Sequence, residues 1–144
     1  MEKQEFIDFA RENPACFMAT CDGDQPHVRT LILFFADETG FYFGTLSPKE
    51  MCQQLHKNPK VEICFYNHPT ELAKAKQMRV TGEVEFVDDP ALKHRLHEER
   101  LMLDEIAGKN LEPYFEIVRV SAGDMHFWTM MDASHEAELE HLVF

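Results

Sequence analysis

At 144 residues, 44% of them hydrophobic, the chain is long enough to bury a core without help from disulfides or a metal. Its 26 acidic residues against 14 basic ones give a formal charge of −12, a sign that repels a phosphate backbone and argues against nucleic acid as a partner. Four scattered cysteines with no CxxC pair, and no apolar run near the ~20 residues of a membrane helix, exclude a disulfide scaffold and a helical membrane span. Glu2, Lys3, Glu5 and Asp8 break up the opening segment, which does not read as a signal peptide. A reducing, cytoplasmic compartment is expected.

In chain order, residues 2–13 predict a helix with Phe6, Ile7, Phe9 and Ala10 as its apolar stripe, stopped at Asn13 and Pro14. Residues 15–21 are almost wholly apolar and predict a strand covered on both faces. The turn signal Asp22, Gly23, Asp24 leads into a β-rich segment, 26–36, and Gly40 turns the chain into a third strand, 41–45. These three strands make a meander. A helix is expected from Ser47 as N-cap, with Pro48 in its first position and Glu50 completing a capping box, running to Asn58 and Pro59. Residues 60–67 alternate as a strand and residues 77–87 as another. A single charged helix is expected over 91–107, then two closing strands over 114–120 and 125–130. The acidic tail, 132–144, has some helical character. Strands in consecutive runs with helices beside them indicate an α+β or small-barrel fold in one domain, 1–144, rather than a doubly wound parallel sheet.

Arg29 stands in PHVRTLILFF, where an arginine by pattern alone reads as an exposed strand residue. The residues after it do not alternate, however, so both faces of the strand are expected to be covered. A guanidinium so placed wants a fixed anion, and phosphate matches its fork. Thr45, Ser47 and Lys49 lie where a strand passes into a helix, whose N-terminal N–H groups favour an anion. Lys49 has the wrong sign for that end unless an anion lies between them. The alternative there is a solvated lysine beside an ordinary cap. His94 and His97, three apart, and His135 and His141 in the tail form no defensible ligand set, so no metal site is expected. Trp128 reads as a core aromatic that could also wall a planar ring.

Three segments in order, FMATCDGDQPHVRTLIL, FYFGTLSPKEMCQQLHKNPKVEICFYN and QMRVTGEVEFVDD, resemble the pyridoxamine 5′-phosphate oxidase-like FMN-binding split barrels, in particular their short bacterial nitroimidazole-reductase-like branch. The resemblance implies a six-stranded antiparallel split β-barrel with flanking helices, mainly β, that forms a homodimer with FMN at the subunit interface. It makes Arg29 a phosphate ligand, runs the backbone of Thr30, Leu31 and Ile32 along the flavin, matches Gly44 and Thr45 to the cofactor-binding pair that ends the third strand, and gives Lys49 a phosphate contact. It brings Gln77 to the flavin, often across the dimer, and Trp128 near it. Phe34 stands where the vitamin B6 oxidases carry a substrate lysine, the cationic cluster at the helix start is reduced to Lys49, and the tail lacks their tryptophan and arginine segment. Pyridoxamine phosphate oxidation is therefore rejected. The expected activity is that of an FMN-dependent oxidoreductase reducing a small organic substrate. The alternative is a non-catalytic module binding flavin, haem or a deazaflavin.

Overall fold

The computed structural model describes all 144 residues. Helix α1 (Lys3–Glu12) precedes three strands, β1 (Ala15–Asp22), β2 (Gln25–Asp37) and β3 (Gly40–Leu46). Helix α2 (Glu50–Lys57) leads to β4 (Lys60–Tyr66), β5 (Lys76–Glu83) and the short β6 (Glu85–Val87). Helices α3 (Pro90–Glu99) and α4 (Met102–Ala107) follow, then β7 (Phe115–Val120), β8 (Gly123–Thr129) and β9 (Leu142–Val143). No helix is long and apolar enough to cross a membrane.

The nine strands form one sheet in the order β6-β7-β3-β2-β1-β4-β5-β8-β9. Every neighbouring pair is antiparallel, and β1 to β3 form the expected meander. Strands β5 and β6 follow one another through Val84 yet lie near opposite ends of that order, and the same holds for β7 and β8 through Ser121 and Ala122. Two short covalent links therefore draw the ends together, and the sheet curls into a half-barrel. At this seam Gly82 lies opposite Gly123. Gly123 has a φ of 155°, and a Cβ there would lie 2.0 Å from the Thr81 carbonyl oxygen, so only glycine fits. Phe41, Phe43, Phe65, Met18 and Met78 fill the inside. Helix α1 lies over it, with Phe6 stacked on Phe127 at 4.3 Å. A second apolar cluster, including Tyr42, Leu96, Phe115 and Ile117, seats α3 on the outer face of β3 and β7.

Several expectations need correction. The sheet has nine strands rather than six. One reason is that the single strand expected over 77–87 divides at Val84, whose N–H turns to the Pro59 carbonyl at 2.8 Å. Another is that the tail, expected to have helical character, forms short 3₁₀ turns and then adds β9 to β8. Strand β1 is not covered on both faces: Cys16, Met18 and Thr20 are buried, while Ala15 is exposed and Phe17 and Ala19 are half-buried. Strand β2 likewise leaves Val28 70% and Ile32 47% exposed. Ser47 is not the cap of α2: the helix begins only at Glu50, which puts Lys49 in the cap position two residues further on, and the Ser47 N–H bonds the Tyr114 carbonyl at 2.8 Å. The helix expected over 91–107 breaks at Arg100, which lets Asp104 fold back onto His97 at 2.6 Å and the Leu111 N–H at 3.0 Å. His97 is consequently buried rather than solvated.

Candidate functional site

Strands β2 and β3 are hydrogen-bonded only where residues 33–37 face residues 40–43, with a bulge between Leu33 and Phe35. Before Leu33, β2 pairs with β1 alone, and beyond Phe43, β3 pairs with β7 alone. The sheet is thus split, and the free backbone edges of Thr30, Leu31 and Ile32 face Gly44, Thr45 and Leu46 across a cleft of about 180 Å³. Leu96, Leu103 and Phe115 floor it, and Lys49 and Arg100 stand at its rim. Gly44 is required by packing: a Cβ there would meet Leu96 Cδ2 at 2.2 Å.

The cleft is lined by cations and apolar groups with no carboxylate among them. Arg79, Arg95 and Arg119 each hold a glutamate, whereas Arg29, Lys49 and Arg100 face no carboxylate within 4.0 Å. In a chain of charge −12, that leaves two unneutralised cations, Lys49 and Arg100, at one opening. Thr45 is 2% exposed and its Oγ1 has no hydrogen-bond partner. A buried hydroxyl left unpaired costs roughly 1–3 kcal/mol, which an oxygen-rich ligand in the cleft would offset.

Arg29 does not line the cleft directly. Its register partner is Met18, so its side chain leaves β2 on the inner face. There Nη1 donates to Thr20 Oγ1 at 2.7 Å and Nη2 to Gln54 Oε1 at 2.8 Å, fixing the fork between β1 and α2. Both acceptors are neutral. Burial pulls the Arg29 pKa down, with the Glu50 charge partly restoring it. The guanidinium is therefore positioned but not neutralised.

Six of the sequence-derived candidates, Thr30, Leu31, Ile32, Gly44, Thr45 and Lys49, come together in this cleft. Gln77 and Trp128 do not: they sit opposite each other on β5 and β8. Three strand steps of about 4.8 Å separate β2 from β5, so Gln77 lies on the order of 14 Å from the cleft. Gln77 Oε1 accepts from the Cys64 thiol at 3.1 Å, and Trp128 Nε1 is buried without a partner. Arg100 escaped the sequence reading. It sits in a run of mixed charges at the end of α3, and only the unannounced helix break turns it toward the sheet.

A split, curled antiparallel sheet with a cationic cleft at the split is consistent with a split-barrel fold. The sequence model for "Pyridoxamine 5'-phosphate oxidase" matches residues 2–129, and the chain belongs to this family. A pyridoxine/pyridoxamine 5′-phosphate oxidase from Alkalilimnicola ehrlichii is 36% identical over 74 residues, which are 51% of this chain but 36% of that protein. The chain thus matches only about a third of that relative's length. Among solved structures, a NimC/NimA family protein from Clostridium acetobutylicum superposes with a TM-score of 0.74 at 25% identity, covering 98% of this chain and 91% of that one. An FAD-binding protein from Mesorhizobium loti shares the fold, with a TM-score of 0.66 at 16% identity over 88% of this chain and 94% of that one.

Proposed function

We propose that the chain is an FMN-binding oxidoreductase that reduces a small organic substrate, working in the cytoplasm as a homodimer. The observation that carries this reading is the split between β2 and β3, where free backbone edges, an unpaired Thr45 hydroxyl and the uncompensated charges of Lys49 and Arg100 converge. The phosphate is assigned to Lys49 and Arg29, and the Thr30–Ile32 edge offers backbone groups to the flavin ring. FMN supplies the electron-transfer chemistry when bound. The chain's own residues bind and orient it, since no carboxylate, cysteine or histidine lines the cleft to serve as acid or base.

A single protomer supports only half of such a site. About 180 Å³ falls short of the roughly 300–1,000 Å³ of a closed cofactor pocket. The outer face beside the cleft carries Val28 and Ile32, both apolar and exposed. A second copy on that face would bury them and bring its own Gln77 and Trp128 to the open side of the cleft. Cleft and distant residues then serve one site made by two chains. The family's vitamin B6 chemistry is not adopted, because Phe34 is buried in the outer apolar cluster where a substrate-binding lysine would be needed.

Titration of the purified protein with FMN, followed by anaerobic reduction with NAD(P)H and reoxidation by an organic acceptor, tests the reading in two stages. Stoichiometric FMN uptake with turnover is expected. Uptake without any turnover would make the chain a flavin carrier instead.

A further inference from the structure

Away from the cleft, Cys52 and His56 project from one face of α2 at helical i, i+4 spacing, and Glu116 reaches them from β7. One ligand atom from each, Sγ, Nε2 and Oε2, lies within 4.8 Å of the others. The Cys52 thiol donates to Glu116 Oε2, and His56 Nε2 is 3.2 Å from the same oxygen. The His56 ring is held flat on Phe86, with centroids 3.8 Å apart and planes at 7°, which fixes its nitrogen toward the carboxylate. Cys52 is 1% exposed, whereas His56 is exposed, so one side of the trio is open to solvent.

We propose that Cys52, His56 and Glu116 form a binding site for a zinc-class divalent cation, clamping α2 to β7. Thiolate, imidazole and carboxylate are the donor set zinc accepts, and a hard cation such as magnesium or calcium would find too few oxygens here. Three protein donors leave the fourth tetrahedral position to water on the open side. In the metal-free site the Cys52 thiol keeps its proton and donates it to Glu116 Oε2. Metal entry forms the S–metal bond and releases that proton to solvent. The thiolate and Glu116 carboxylate together neutralise the dication. A second trio, Asp124, His126 and His141, meets the same distance limit but offers no thiolate, so it lacks the sulfur donor that favours a zinc-class ion.

The test is a titration of the full chain with cobalt(II), read as difference spectra, followed by displacement with zinc. One equivalent should bind with a sulfur-to-cobalt charge-transfer band and release of about one proton, and zinc should erase the band. Cys52→Ser should abolish the band, while Cys64→Ser should leave it intact. His56→Ala, an exposed position where the fold is not at stake, should weaken cobalt binding by at least about tenfold. The absence of a charge-transfer band in the wild-type chain would overturn the assignment. So would cobalt binding that His56→Ala leaves unchanged, which would place the ion at another thiol, or binding that persists in Cys52→Ser, which would place it at the second trio.

Discussion

Arg29 is held most closely by two neutral side-chain oxygens, Thr20 Oγ1 and Gln54 Oε1, with no carboxylate within 4.0 Å. Those bonds orient the fork without satisfying its charge. Arg29→Ala should therefore weaken FMN binding more than tenfold, since a charge-assisted contact is worth about 1.5 kcal/mol or more, and isothermal titration will measure it. A folded variant with unchanged affinity would make the residue purely structural. Its direction could be read from the sequence only in part. The unbroken apolar run after Arg29 suggested a sheltered strand, but strand alternation sends the side chain to the inner face, opposite to Thr30 and Ile32.

His126 offers a pH test at the same scale. Burial, reinforced by the positive charges of His141 and Arg79, holds its pKa below the usual 6.5, while Asp124 and Glu136 act in the other direction. As pH falls through 6.5 the unfolded chain takes up this proton before the folded one does. The unfolded state then binds more protons, and stability declines as pH drops from 6.5 toward the folded value. Tm recorded between pH 7.5 and 5 should fall in that window, and His126→Gln should flatten the fall. An unaltered slope would assign it to other histidines.

At the scale of elements, α3 is held against β3 by an unusually close approach. Gly44→Ala drives a methyl into Leu96, which is 1% exposed, and should cost about 1–3 kcal/mol in denaturant unfolding. Adding Leu96→Ala should recover part of that loss, a coupling that a double-mutant cycle detects. Strict additivity would mean the two do not touch in solution. The elements themselves were largely readable, because the caps and turns that bound them are local. Asp89 caps α3 by accepting from the Ala91 and Leu92 N–H groups, and Pro90 opens the helix as its composition implies. The break at Arg100 was not readable. No glycine or proline marks it, and it is stabilised by Asp104, whose partners His97 and the Leu111 N–H meet it only through the tertiary fold. The division at Val84 was hidden for the same reason: alternation runs through it unbroken, and only the curl of the sheet sends the two halves to opposite ends.

For the whole molecule, the family resemblance brought six residues to one opening, while spacing and alternation alone did not show the opening itself. The cleft exists because β2 and β3 part after Leu33, and nothing local announces that parting. Nor does a single protomer account for Gln77 and Trp128, which the strand count places well away from it. If two copies meet over Val28 and Ile32, then Val28→Glu sets like charges against each other across the two-fold axis. Sedimentation should show a monomer, and FMN affinity should fall with it. A Val28→Glu protein that stays dimeric would move the interface elsewhere.

The most direct test of the cofactor assignment is a titration of the purified, folded chain with FMN, followed by absorbance and calorimetry. The expected result is a yellow complex with one FMN per protomer, weakened more than tenfold by Arg29→Ala. A folded chain that stays colourless and takes up no FMN would contradict it.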